Sequence, residues 1–302
     1  MMMSIPIEIG QLNGKVAVIT GSSRGLGYGI AELFAKEGAA VVLSARSQHT
    51  LDEAVNTLTE QGYQASGFVC DVGQLEQVQA LAAHAIDTFG KIDIWINNAG
   101  VSGPYGPTDL ITPADFERVV QTNILGTYYG SLVALHTFGQ RGGKLINMLG
   151  RGDSKPVKYQ NAYASSKAWV RSFTMALAQE HKSQKNLSVL ALNPGLVDTD
   201  LLRKLDAVQG YERRLNPLRT VIRMWAKPPH VPAEAALHLA SRATDGKTGI
   251  ISSVLGPRIL FSGVYNEIRQ RLTRKTTPVT LDITTRAPFM LARHEREIEK
   301  QG

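Results

Sequence analysis

Residues 15–27 read Lys15-Val16-Ala17-Val18-Ile19-Thr20-Gly21-Ser22-Ser23-Arg24-Gly25-Leu26-Gly27. The first six are a short apolar run rich in β-branched side chains, the pattern of a strand buried on both faces. Glycines then stand at 21, 25 and 27, after which Ile30, Leu33, Phe34 and Ala35 recur at helical spacing until Gly38, a helix stop signal. A strand, a glycine loop and a helix together open a nucleotide-binding βαβ unit. The glycines permit a tight turn and close backbone approach, while the helix N-terminus offers free amides and a positive dipole end to a pyrophosphate. The loop alone also suits a plain strand–helix turn, so the rest of the chain must decide.

Outward from that stretch, the same alternation continues. Further strands are expected at 39–45, 67–72, 92–96, 144–148, 187–192 and 249–254, with helices at 51–61, 75–89, 114–138, 162–181 and 232–240. Gly126 and Gly130 interrupt the long helical stretch and mark places where another element approaches closely. Regular alternation of this kind predicts an α/β fold: a Rossmann-type, doubly wound parallel sheet of about seven strands with helices on both faces, as a single domain. Residues 198–229 stand outside the pattern and are expected to form a lid within a catalytic unit spanning 1–256. Residues 257–302 form an extension, in which 259–272 has the pattern of an amphipathic helix and 292–300 that of a solvated segment.

Composition narrows the function. With 43% hydrophobic residues in a chain of 302, there is enough apolar surface for a substantial core. No run of about 18 apolar residues occurs, so no spanning helix is expected. The start lacks a basic segment followed by an apolar one, so no secretory signal is expected either. The single Cys70 excludes an internal disulfide framework and a cysteine-based zinc site, and no metal is expected; the protein reads as cytoplasmic. Of the net charge of +7, residues 257–302 carry nine Lys/Arg against five Asp/Glu, so the main body is only mildly basic. Nucleic acid is therefore not an expected partner.

Tyr163 and Lys167 lie four apart in an expected helix and so share one face. An ammonium fixed beside a phenol favours the phenolate, turning a group of pKa near ~10 into a proton donor and acceptor. At the other end of the unit, the second strand runs out at Ala45-Arg46-Ser47 with no carboxylate, and Arg24 lies in the glycine loop. An acidic residue there would hold the adenosine ribose and repel a 2′-phosphate. Two converging cations instead suit that phosphate, so NADP(H) is preferred over NAD(H).

Taken in order, these residues resemble the short-chain dehydrogenase/reductase family, in the subgroup with the motif Thr-Gly-x-x-x-Gly-x-Gly. The match runs through Thr20–Gly27, Asp71-Val72, Asn97-Asn98-Ala99-Gly100, Asn123, Tyr163-x-x-x-Lys167, Asn193-Pro194-Gly195 and Val197-x-Thr199, and covers roughly residues 12–256. The resemblance implies that Gly21, Ser23, Arg24, Gly25, Leu26, Gly27, Arg46 and Ser47 hold the phosphates and ribose. It implies that Asp71 and Val72 hold the adenine, that Asn98, Ala99 and Gly100 form a floor under the cofactor, and that Pro194, Gly195, Val197 and Thr199 position the nicotinamide. Tyr163, Lys167 and Asn123 would be catalytic: Lys167 holding the nicotinamide ribose and lowering the Tyr163 pKa, Asn123 anchoring a water that links Lys167 to solvent. A homodimer or homotetramer is the family's usual state.

One departure stands out. The family places a serine about thirteen residues before the tyrosine, where it donates to the substrate oxygen; here that position is Gly150, and the nearest serine is Ser154. Losing one such donor commonly costs on the order of 10²–10³ in rate. Three explanations are open. Ser154 is brought into place; Arg151 or the amides of the Gly150-Arg151-Gly152 turn replace the hydroxyl; or the protein binds NADP(H) as a sensor or interaction protein without turnover. The second is preferred. The expected activity is hydride transfer between NADP(H) and a small-molecule carbonyl or secondary alcohol, with Tyr163 as acid and base. The lid, apolar with a cationic side, would suit a bulky apolar molecule carrying an acidic group; an amphipathic helix with a solvated basic face is the preferred reading.

Overall fold

The computed structural model describes residues 10–273 and 278–290. The run at residues 15–20 forms β1 (Val16–Thr20), buried at every position, and α1 (Gly25–Lys36) follows the glycine loop. Next come β2 (Ala40–Ala45), α2 (Gln48–Glu60), β3 (Ala65–Val69), α3 (Leu75–Phe89) and β4 (Ile94–Asn97). Then α4 (Pro113–Val119) leads through a π-helical turn, Val120–Leu125, into α5 (Gly126–Phe138), followed by β5 (Gly143–Met148), α6 (Asn161–Glu180) and β6 (Leu187–Asn193). The remaining elements are α7 (Asp200–Arg203), β7 (Lys204–Val208), α8 (Asn216–Trp225), α9 (His230–Ala240), β8 (Ile251–Ser253), α10 (Pro257–Leu272) and β9 (Asp282–Arg286).

Seven strands form one parallel sheet in the order β3-β2-β1-β4-β5-β6-β8. Strand alternation divides the core in two. Ala17 and Ile19 face α1, α2 and α9 through Ile30, Phe34, Leu58 and Ala236, whereas Val18 and Trp95 face α3 and α5 through Leu81 and Phe138. Because both faces are covered, the strands are continuous apolar runs. The strand order reverses between β1 and β4, so a crevice opens there at the carboxyl ends of the strands, the usual ligand position in such sheets.

The long helical stretch breaks differently from the glycine reading. Gly126 and Gly130 lie inside α5, where a Cβ at Gly126 would stand 2.6 Å from Val72 Cγ2 and one at Gly130 would collide with Asn97 Oδ1. They are close-approach positions, as expected; the break itself is the π turn before them, and it carries Asn123.

The lid and the extension are built into each other, which the sequence pattern did not suggest. Lid strand β7 pairs in parallel with β9 of the extension, from Lys204 opposite Asp282 to Val208 opposite Arg286. Leu205, Ala207 and Leu215 bury their side chains there against Tyr105, Leu218 and Ile283. Helix α10 lies on α8, where Arg223 donates to both carboxylate oxygens of Glu267 at 2.6 Å, with both side chains largely buried. The helix expected at 259–272 thus exists, and it leaves Phe261, Tyr265, Ile268 and Leu272 exposed. The solvated segment expected at 292–300 lies outside the described residues.

Candidate active site

The first turn of α1 and the end of β4 are held together by polar groups. Asn98 Nδ2 donates to the carbonyls of Thr20 (2.9 Å) and Gly21 (3.0 Å), and the Thr20 hydroxyl accepts from the amides of Asn98 (3.0 Å) and Ala99 (3.1 Å). Glycine is required in this loop. Gly21 has φ +62°, and a Cβ on it would lie 2.8 Å from Ala99 Cα. A Cβ on Gly27 would run into the Gly21 carbonyl and stand 2.5 Å from Asn98 Nδ2. No side chain caps α1 and no acid occupies its first turn, so its amides are free for an anion. A glycine cradle at an uncapped helix start fits a dinucleotide pyrophosphate.

This cradle is one end of a cleft of about 1020 Å³. Every residue that the sequence assigns to the cofactor lines the cleft, from the glycine loop through Asp71, Asn98 and Gly100 to Thr199, together with Tyr163 and Lys167. The walls face each other closely: a Cβ on Gly25 would lie 3.2 Å from Thr199 Cγ2. Arg46 and Ser47 line the cleft at the start of α2, where the adenosine end is expected, and Arg46 has no carboxylate partner among the described residues. Arg24 also lines the cleft but is drawn aside, its guanidinium 3.1 Å from Asp200.

Asn123 lies behind the cleft wall, fully buried. Its Oδ1 accepts from the Val101 amide (2.9 Å), and its Nδ2 donates to the Val101 carbonyl (3.0 Å) and to Ser166 Oγ (3.0 Å). It therefore fixes the segment following Gly100 against α6. Lys167 Nζ donates to the Met148 carbonyl at 2.9 Å and lies 5.8 Å from the centre of the Tyr163 ring.

Electrostatics differ from the simple pairing argument. Burial pushes the Tyr163 phenol up to about 12, and the Asp153 carboxylate pushes the same way. Burial also brings the Lys167 ammonium down to about 8. Desolvation at both groups outweighs the attraction that spacing alone suggests. Asp153 is held by Arg171 Nη1 at 3.1 Å and Asn193 Nδ2 at 3.2 Å.

At the serine position, a Cβ on Gly150 would lie 2.5 Å from the Tyr163 hydroxyl. Ser154 is exposed and does not line the cleft, whereas Gly150 and Arg151 do. Gly152 has φ +101°, and a Cβ there would strike Ala164 Cβ, so the turn needs glycine. The amides of Gly150, Arg151 and Gly152 donate to no other group among the described residues.

Sequence reasoning missed a polar chain beneath the site. Trp95 Nε1 donates to Asn97 Oδ1 (2.8 Å), Asn97 Nδ2 to Asn147 Oδ1 (2.8 Å), and Asn147 Nδ2 to Thr174 Oγ1 (3.0 Å), all buried. Two asparagines inside apolar strands were the available signal, since a buried amide requires partners. Tyr105 was also missed: its amide and carbonyl bond to Asp206 and Val208 of β7, joining the lid to the cleft.

Comparison with known proteins agrees with the geometry. The family profile described as short chain dehydrogenase matches residues 15–210. The 7alpha-hydroxysteroid dehydrogenase of Escherichia coli (strain K12) is 34% identical over 247 residues, covering 82% of this chain and 94% of that protein. An uncharacterized oxidoreductase, YxnA of Bacillus subtilis (strain 168), is 37% identical over 196 residues; the match covers 64% of this chain and about half (55%) of that relative's length. The crystal structure of 3-ketoacyl-(acyl-carrier-protein) reductase from Brucella melitensis, complexed with NADH, superposes with a TM-score of 0.72 at 31% identity, covering 82% of this chain and 99% of that one. A parallel seven-stranded sheet with a glycine cradle and a Tyr–Lys pair in one cleft defines a nicotinamide-dependent oxidoreductase. The chain belongs to the short-chain dehydrogenase family, acting between alcohols and carbonyls.

Proposed function

We propose that the protein interconverts a ketone and a secondary alcohol using NADP(H), with Tyr163 as its proton donor and acceptor. The observation that carries this reading is the placement of the enclosed Tyr163 and Lys167 in the same cleft as the glycine cradle and Arg46. Bound nicotinamide would supply or accept the hydride. The phosphates would rest on the glycine loop, with Arg46 and Ser47 at the adenosine ribose. Asp71 and Val72 would border the adenine, and Pro194, Gly195, Val197 and Thr199 the nicotinamide.

The chain's own residues handle the proton. A phenol raised to about 12 stays protonated throughout the neutral range, the state needed to give a proton to a carbonyl oxygen. That favours reduction over oxidation near pH 7. Lys167, still charged below about 8, supports the phenolate that is left behind. Asn123 holds the backbone at Gly100 and Val101 beside Lys167, and we assign it to the water step that returns a proton from solvent. Around the missing serine, the free amides of Gly150 and Arg151 support backbone donation to the substrate oxygen. A sensor that only binds cofactor is the weaker reading, since Tyr163 and Lys167 lie together in the cleft that holds the glycine cradle.

We also place the protein in the cytoplasm as a homo-oligomer; no described helix is long and apolar enough to cross a membrane. The deciding experiment is Tyr163→Phe. NADPH-dependent turnover should fall about 10²–10⁴-fold, with NADPH affinity nearly unchanged. Equal turnover in that variant would sink the mechanism.

A further inference from the structure

Cations along the cleft divide into two groups. Arg24 and Lys204 share Asp200 at 3.1 Å each, and Arg118 has Asp115 at 3.4 Å and Asp206 at 4.0 Å. Arg46, Arg151 and Arg214 line the same cleft with no carboxylate partner among the described residues. Arg46 belongs to the adenosine end. Arg151 and Arg214 also line the cleft, Arg151 from the turn following β5 and Arg214 from the lid.

Tyr105 lines the cleft with both, and its phenol feels the charge of Arg151, Arg214 and Lys158. Around it stand Tyr159 and Tyr211, with ring centres 5.4 Å apart in the pairs Tyr105–Tyr159 and Tyr159–Tyr211. Arg214 lies 5.4 Å from the centre of the Tyr159 ring and 5.6 Å from that of Tyr211, and Lys158 lies 4.9 Å from that of Tyr159. Tyr159 is held at φ +67°, a conformation costly for an aromatic residue, and it is the only such non-glycine among the described residues. Its carbonyl accepts from the Gly106 amide at 3.0 Å. Lys158 and Arg214 are thus held on aromatic faces beside a strained backbone, with no carboxylate partner among the described residues. Beside Tyr105 the lid contributes Leu215 and Leu218, and with Val221 these apolar side chains also line the cleft.

We propose that Arg151 and Arg214 form an anion-binding subsite for a substrate that is apolar in its middle, carries a carbonyl at one end and a carboxylate at the other. The carboxylate sits between the two guanidinium groups, the apolar body lies along α8, and the carbonyl reaches Tyr163. This rests on the oxidoreductase reading and narrows it to a substrate class. Loss of the serine fits, because an anchor at the far end of the molecule fixes the carbonyl that a local donor would otherwise hold.

The test uses the full-length protein and its Arg151→Ala and Arg214→Ala variants. The substrates are a graded series of aliphatic keto acids, each matched with its methyl ester. Wild type should prefer the acids, and their KM should rise with salt. Each variant should raise KM for the acids about tenfold relative to KM for the matched esters, the loss of one charged hydrogen bond. Calorimetric binding of octanoate, with octanol as the neutral control, gives a readout independent of turnover: octanoate should bind, octanol much more weakly, and each variant should weaken octanoate about tenfold. Equal preference for acids and esters, or octanoate binding that is undetectable or unaltered by either substitution, would overturn the proposal. Tyr163→Phe separates the two readings, since it should remove turnover and leave octanoate binding intact.

Discussion

The Tyr163 hydroxyl occupies the space that a side chain on residue 150 would need: a Cβ there would lie 2.5 Å from the oxygen, 3.4 Å from Tyr163 Cζ and 3.5 Å from Lys167 Cε. Gly150 is not at a positive φ, so its backbone does not demand glycine. The reason for glycine is room beside the acid.

Gly150→Ala should therefore move the phenol rather than strain the turn. Reduction by NADPH should slow about tenfold or more, as a displacement of under 1 Å at a reacting group can do. NADPH affinity and melting temperature should change little. Steady-state kinetics with a saturating ketone check this, and an unchanged kcat would show that the hydroxyl does not work from its place against residue 150.

Much of this was readable in the residues, and the boundary has a physical cause. The sheet, the glycine cradle and the cleft-lining motifs follow from local pattern, because buried parallel strands and phosphate loops restrict sequence at every position. The desolvation of Tyr163 and Lys167 was not readable, since burial depends on what packs around the pair and not on the four-residue spacing. The pairing of β7 with β9 was equally hidden: Leu205 and Ile283 are nearly eighty residues apart, and each strand is short and mixed in polarity. Arg24 illustrates a third limit. Its place in the glycine loop was legible, but its partner Asp200 comes from the far side of the cleft.

The proposed preference for NADP(H) rests on Arg46, which lines the cleft with no carboxylate to offset it among the described residues. Arg46→Ala should weaken NADPH binding about tenfold or more, the worth of a charged hydrogen bond to phosphate, and should leave NADH nearly unaffected. Fluorescence titration of both nucleotides measures this. Equal losses for the two would remove the 2′-phosphate assignment.

Helix α10 is tied to the lid by the bidentate Arg223–Glu267 pair, whose side chains are 16% and 6% exposed. Charges this enclosed couple strongly. A double-mutant cycle with Arg223→Met and Glu267→Leu should give a coupling of more than about 1 kcal/mol in denaturant unfolding. Each single variant should also expose the extension to limited proteolysis. Independent effects of the two substitutions would show that the lid is held by β7 and β9 alone.

Lys167 makes stability depend on pH in a direction that can be stated in advance. Its ammonium titrates at about 8 in the fold against 10.5 in the unfolded chain. Below about 8 both states carry the proton, and the fold bears the full cost of the buried charge. Between about 8 and 10.5 the folded protein releases the proton while the unfolded chain keeps it, so stability rises with pH across that window. The gain is on the order of 3 kcal/mol over the full interval. Tyr163 acts the other way, but only above its unfolded value of 10.0, so measurements up to about pH 10 isolate the lysine. Relative to Lys167→Met, the wild-type protein should therefore gain in unfolding free energy from pH 7.5 to about 10, with most of the gain above 8. Parallel pH curves for the two proteins would mean that the buried ammonium is not destabilised, and that its place beside Met148 and Tyr163 is better solvated than the geometry implies.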